Sequence, residues 1–338
     1  MEFKYQKYTS EYKEQVIELM KYLWDFDKKN WKPYFEWKFE NNPYTEEPLA
    51  FIALDGEKVI AFRGYMVLPL QIENRSYLCA VLADTVTHKD YQRKGLFSGV
   101  TQYSINEIQK DDRFLISLNS SSGGKTLNGY LKLGWKPFCE REHLFRFTWR
   151  GIANKIAAKK INICNCKILG SKKNLIITDV CKAKDIVSMP FDYKELSHKR
   201  EEKLYAWRFL NPKETYKFAY SYDKNGMLVS YLILYKIAND KWDLIDFNTT
   251  NDDDLKKLLN WVCKCFQPFY ILLWTVSKTN IIYLSRHKFG FTPLNILLRQ
   301  IKKFQKPPFL VKEFNQAEHV IMCDKMKWNL YKFVADEI

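Results

Sequence analysis

Val86-Thr87-His88-Lys89-Asp90-Tyr91-Gln92-Arg93-Lys94-Gly95-Leu96-Phe97 joins an apolar run, Leu78 to Ala83, to a stretch in which Phe97, Val100, Ser104 and Ile108 fall on one helical face. The reading is a buried strand, a short polar loop, and a helix that starts at a glycine. The first turn of such a helix has backbone N–H groups without intrahelical acceptors and the positive end of the helix dipole, which together receive phosphate. Gly95 lets the backbone approach an anion closely, and Arg93 and Lys94 add positive charge beside it. On physical grounds the loop is a pyrophosphate cradle.

The same residues resemble motif A of the Gcn5-related N-acetyltransferase (GNAT) superfamily, Gln/Arg-x-x-Gly-x-Gly/Ala, with Gln92, Gly95 and Phe97 at its three positions. Val86-Thr87-His88 is similar to a subgroup with Thr-His-Pro before the loop, although Lys89 stands in place of the proline and Phe97 in place of a small residue. Further on, an apolar strand from Phe114 to Leu118 and a polar turn lead into Asn128-Gly129-Tyr130-Leu131-Lys132-Leu133-Gly134-Trp135. This resembles the superfamily's motif B, Tyr-x-Lys-x-Gly-Phe. Alone, Tyr130 reads as a core aromatic on an amphipathic helix. Behind motif A, the resemblance implies the general acid that protonates the departing CoA thiolate. A phenol (pKa ~10) is protonated at neutral pH and can pass its proton to a thiolate whose conjugate acid has a pKa of ~8.5.

The resemblance also implies that acyl-CoA is held by Val86, Thr87, Gln92, Arg93, Lys94, Gly95, Leu96, Phe97 and Ser98, with Asn119 and Asn128. It marks Asp84, in the strand before the loop, as the candidate base; a hydrogen bond inside the sheet is the other reading. Trp31, Tyr34, Phe35 and Trp37 lie where the family borders its acceptor site. Glu140, Glu142 and His143 follow motif B and could face the same cleft.

The chain also repeats itself. Trp37-Lys38-Phe39-Glu40-Asn41-Asn42-Pro43 returns as Trp207-Arg208-Phe209-Leu210-Asn211-Pro212, and Gly134-Trp135-Lys136-Pro137 as Gly290-Phe291-Thr292-Pro293. Between these anchors lie matching strand pairs, Leu49–Leu54 with Lys58–Leu68 and Tyr216–Tyr222 with Met227–Ile237, each joined by a turn containing glycine. The fold expected is α/β: two tandem GNAT folds of mixed, mostly antiparallel sheets flanked by helices. The expected division is 1–150, a basic linker over 151–173, and 174–338. The second copy is not equivalent. Its strand Trp242–Phe247 runs into Asn251-Asp252-Asp253-Asp254, whose three carboxylates would repel pyrophosphate, and Arg286 stands at the position of Tyr130. That copy reads as having lost its cofactor site.

The 338 residues, 46% of them hydrophobic, suit two cores, and no run reaches the ~18–20 apolar residues of a membrane span. Eight cysteines lack zinc-site spacing, and free thiols in the cytoplasm are the reading. The net charge of +15 gathers in Arg150–Asn174 and around Pro307-Pro308. It fits a solvated linker, steering of anionic CoA, or contact with nucleic acid or an anionic surface.

The function expected is transfer of an acetyl group from acetyl-CoA to a primary amine, a small amine or amino sugar foremost, by direct attack without metal. The alternatives are an aminoacyl-tRNA-dependent peptidyltransferase and a non-catalytic acyl-CoA-binding module.

Overall fold

The computed structural model describes residues 3–23, 31–120, 124–139, 141–157, 168–172, 174–286, 289–293, 308–314 and 327–335. The first elements are β1 (Lys4–Lys7), α1 (Lys13–Met20), α2 (Trp31–Phe35) with a π-type turn over Glu36–Glu40, β2 (Ala50–Asp55), β3 (Lys58–Ile72) and β4 (Arg75–Thr87). There follow α3 (Leu96–Ile108), β5 (Phe114–Asn119), α4 (Gly124–Lys132), β6 (Lys136–Cys139), β7 (Glu142–Phe147) and α5 (Trp149–Ile156). The chain continues through β8 (Ile168–Lys172), β9 (Leu175–Thr178), α6 (Ala183–Ser188), β10 (Ser197–His198), α7 (Glu202–Arg208), β11 (Tyr216–Tyr222) and β12 (Leu228–Ala238). The last described strands and helices are β13 (Lys241–Thr249), α8 (Asp252–Phe266), β14 (Tyr270–Thr275), α9 (Lys278–Arg286), β15 (Thr292–Pro293) and β16 (Phe309–Glu313).

The strands form two 8-stranded mixed sheets. The first has the order β1-β2-β3-β4-β5-β16-β6, with β10 added to β3, and the second β15-β7-β14-β13-β12-β11-β9-β8. Parallel pairing joins β4 to β5 and β13 to β14. Side chains alternate across β3, so neighbours face opposite layers. Phe62 meets the rings of Phe35 and Phe39, whereas Arg63 reaches Thr101 of α3. Helix α2 and α3 therefore cover opposite faces of the first sheet.

The sheets do not follow the order of the chain. Strand β16, from the second half, inserts between β5 and β6, pairing Val311 with Leu118 on one edge and Lys136 on the other. Strand β7, from the first half, inserts between β14 and β15, pairing Phe145 with Leu272 and Thr292. Each half gives its partner the strand that fills the same place in the sheet order. The expected boundary at residue 150 thus falls after a strand that the second sheet holds.

The repeated tryptophans sit where the halves meet. The Trp37 indole N–H donates to the Trp207 carbonyl at 2.9 Å and the Trp207 indole to the Trp37 carbonyl at 2.7 Å, with the rings stacked 5.6 Å apart. This reciprocity is what a local two-fold between equivalent units produces.

The expected basic linker is only partly a connector. Its first part belongs to α5, where Thr148 caps the helix and donates to the Pro268 carbonyl and Lys155 pairs with Asp240 at 3.1 Å. Its last part is the edge strand β8. Lysines 159, 160, 167 and 173, and Arg299, Lys302, Lys303 and Lys306 of the second basic cluster, lie outside the described residues. Among the described residues no helix is long and apolar enough to cross a membrane.

Candidate active site

Strands β4 and β5 are neighbours only over Leu78–Val81 and Phe114–Leu118. Beyond Val81, β4 runs on to Thr87 paired with β3 alone, through a bulge in which Tyr65 faces Leu82 and Arg63 faces Thr85. Bulges bend a strand and re-aim its side chains. The two parallel strands part here, and the loop from β4 to α3 lies at the opening.

Gly95 is the residue before the first turn of α3, with φ +80°, a conformation that costs a side chain dearly. A Cβ there would meet no atom within 4 Å, so backbone conformation rather than packing asks for glycine. The first helical hydrogen bond runs from Gly99 N–H to the Gly95 carbonyl, and no side chain caps the end. The N–H groups of Leu96, Phe97 and Ser98 are thus left to an outside acceptor. Gln92, Arg93, Lys94 and Ser98 are exposed around them, with Arg93 at φ +64° and the Lys94 ammonium over the Tyr91 ring. Leu96 is buried with Ala53, Ile60 and Ala61 and anchors the turn, while Val86 is buried and Thr87 half-buried at the end of β4. Asn119 is buried at the end of β5, and Asn128 is exposed on α4. The residues present fit a pyrophosphate.

Phe97 departs from the family's small residue without blocking the loop, because its ring turns inward. A Cβ on Gly129 would lie 2.7 Å from that ring, so the glycine of α4 makes the room. The ring also meets Tyr130 edge-on at 5.2 Å. Tyr130 is buried, with Trp135 on another side, and its hydroxyl accepts a hydrogen bond from Arg63 Nη2 at 2.9 Å.

Asp84 lies on the opposite face. Its carboxylate is 3.0 Å from the Lys38 ammonium, both side chains about 1% exposed, and Lys38 also donates to the Tyr34 hydroxyl at 2.6 Å. Asp84 is thus already held by a cation. Leu82-Ala83-Asp84-Thr85-Val86-Thr87 recurs as Leu244-Ile245-Asp246-Phe247-Asn248-Thr249, so the second unit keeps this carboxylate. There, fully buried Asp246 accepts from Arg200 at 3.1 Å, Tyr205 at 2.6 Å, and Tyr231 and Tyr331 at 2.7 Å. Recurrence in both units favours an architectural carboxylate over a base. Asp84→Asn should accordingly take this carboxylate away from a buried ammonium and lower stability by about 3–5 kcal/mol. Thermal unfolding checks it, with the joint Asp84→Leu, Lys38→Met variant recovering much of the loss. A stable Asp84→Asn protein with turnover reduced a hundredfold or more would restore the base reading.

The second unit closes the matching opening with its own chain. The first turn of α8 is capped by Asn251, whose side chain accepts from Asp253 N–H at 2.8 Å, and Tyr283 of α9 donates to Asp252. Thr275 of β14 pairs with Glu142 on one edge and with Tyr331 on the other, the edge that faces β13. Leu330 and Tyr331 are buried there.

Glu142 and His143 lie on β7 in the second sheet, and Glu140 lies outside the described residues. Trp31, Tyr34, Phe35 and Trp37 are buried core residues on α2 and the turn after it. Two partners escaped the sequence reading. Arg63 is a charge inside an apolar strand, which was the available signal. Lys312 of β16 donates to the Leu133 carbonyl at the C-terminal end of α4 at 3.1 Å, a contact only the strand exchange creates.

Residues 4–138 match the family model described as an acetyltransferase (GNAT) domain. The N-terminal unit is a GNAT acetyltransferase domain. Similarity in fold extends over both units. A probable N-acyltransferase from Enterococcus faecalis is 12% identical, with a TM-score of 0.63 over 93% of this chain and 73% of that one. A GCN5-related N-acetyltransferase from Anabaena variabilis is 14% identical, also with a TM-score of 0.63, over 93% and 74% of the two chains. The N-myristoyltransferase of Saccharomyces cerevisiae, solved with myristoyl-CoA bound, is 14% identical with a TM-score of 0.53 over 93% and 82%. No curated protein sequence matches the chain.

Proposed function

We propose that the protein is a cytoplasmic N-acyltransferase that moves an acetyl group from acetyl-CoA to a primary amine, a small amine or an amino sugar, in its GNAT domain. The observation that carries this reading is the contrast between two equivalent helix starts. Helix α3 begins at Gly95 with no side-chain cap and with Arg93 and Lys94 before it, while α8 is capped by Asn251 and carries three aspartates in its first turn. One end is built for an anion and the other against it. In the proposed reaction the amine nitrogen attacks the thioester carbonyl carbon and the C–S bond breaks with its electron pair going to sulfur. Tyr130 supplies the proton that completes the thiol. The exposed ammonium groups near the loop favour approach of the anionic donor.

Calorimetric titration with acetyl-CoA should show one site per chain. Gly95→Asp puts a side chain at φ +80° and a carboxylate where the phosphates would sit, giving this turn the sign of charge that Asp252, Asp253 and Asp254 give to α8, and should abolish binding. Two equivalent sites, or a Gly95→Asp protein that binds as before, would count against the reading.

A further inference from the structure

Arg63 is fully buried, yet it faces no carboxylate among the described residues. Its guanidinium donates to the Thr101 hydroxyl at 3.2–3.3 Å and to the Tyr130 hydroxyl at 2.9 Å, and Nη1 has no hydrogen-bond partner among the described residues. The Phe97 and Tyr130 rings lie 5.5 and 5.4 Å from the guanidinium carbon. A buried charge without a counter-charge is expensive, and a fold keeps one only when something offsets it. Apolar residues could fill this place, as the internal repeat shows. Thr85 and Phe247 follow the equivalent aspartates, and their partners on the neighbouring strands are Arg63 and Leu232. The second unit therefore has a buried leucine where the first has Arg63, and Arg286 where the first has Tyr130. The carboxylate recurs in both units; the arginine and the tyrosine occur together in the first and are both missing from the second.

We propose that Arg63 is the positioning residue for proton transfer by Tyr130, an inference that rests on the acyl-transfer reading above. The hydrogen bond fixes the direction of the phenol. Because the oxygen accepts from Arg63 and donates to no described residue, its own proton is left for the substrate. When the C–S bond breaks, the electron pair goes to sulfur, the O–H proton of Tyr130 moves to that sulfur, and the phenolate left behind faces a guanidinium already in place. The phenolate then regains a proton from solvent, which has taken the one released by the amine. The counter-charge that Arg63 lacks at rest is thus generated during the reaction. Stabilisation present before the charge forms lowers the barrier without tightening substrate binding.

The test uses the full chain, acetyl-CoA as donor, a panel of primary amines, and release of free CoA thiol as the rate. Arg63→Leu, the residue of the other unit, should lower turnover by roughly 10²-fold, with the KM for acetyl-CoA changed less than about threefold. Arg63→Lys, which keeps the charge and covers any failure of the leucine variant to fold, should recover part of the loss. Combining Arg63→Leu with Tyr130→Phe should be no slower than Tyr130→Phe alone, because both remove one step. In protein labelled with carbon-13 at the tyrosine hydroxyl carbon, the resonance missing from Tyr130→Phe should move in Arg63→Leu. An additive double variant, an unmoved resonance, or full turnover in Arg63→Leu would overturn the inference and leave the acyl-transfer reading intact. A wild-type protein that binds no acetyl-CoA, or releases no thiol with any amine, would overturn both.

Discussion

A fragment of residues 1–150 should fail to fold cooperatively, and co-expression with residues 151–338 should recover a soluble pair. The fragment lacks β16, whose Phe309, Leu310 and Val311 are between 0% and 4% exposed. Burying three such side chains contributes about 5–9 kcal/mol as an upper figure, against a typical total stability of about 5–15 kcal/mol for a domain. Their loss also opens the edges of β5 and β6, with backbone groups that then need water or another chain. The Leu133 carbonyl loses Lys312, and Phe138 loses the Trp328 ring that packs on it at 4.1 Å. In return the fragment carries β7, with fully buried Leu144 and no sheet to join. Circular dichroism melting and gel filtration check the outcome. A fragment with a sharp melt close to that of the full chain, and with unchanged acetyl-CoA binding, would mean that the exchanged strands are dispensable.

What could be read from the sequence was local. The strand, loop and helix around Gly95 are specified within about thirty residues, because periodicity and one glycine with positive φ fix them. The repeat was legible for a related reason: Trp37 and Trp207 do the same job in two places, so the same residues recur. Strand exchange was not legible. Phe309–Glu313 is a strand of five residues, and so short a stretch does not say which sheet it joins. The partner is decided by what lies beside β5 once the chain has folded, with Lys312 at the end of α4 as a consequence. Asp84 shows the other limit. The family resemblance supplied a role, while its neighbour Lys38 comes from a turn far along the chain and is visible only in three dimensions. Lys38 and Arg208 are basic in both copies between Trp and Phe, yet Lys38 meets Asp84 while Arg208 donates to the carbonyls of Phe333 and Ala335, so the recurrence did not point to the ion pair.

Tyr130→Phe should lower turnover by ~10²–10⁴ while acetyl-CoA binding persists. The substitution keeps the ring, and the ring does the packing, edge-on to Phe97 at 5.2 Å and to Trp135 at 5.4 Å. What it removes is the hydroxyl at the end of the Arg63 guanidinium, and Arg63 then retains Thr101 as its hydrogen-bond acceptor. Loss of that acceptor should cost about 1–3 kcal/mol of stability, a modest drop in melting temperature rather than unfolding. The cradle at Gly95 is untouched, so titration with acetyl-CoA should still give one site of near-normal affinity. The rate loss should appear in kcat more than in KM, because the proton is needed only as the C–S bond breaks. It should shrink for a thioester donor whose thiol is more acidic, since a better leaving group needs less help. Turnover reduced less than about tenfold would show that Tyr130 is a packing residue and that water protonates the thiolate.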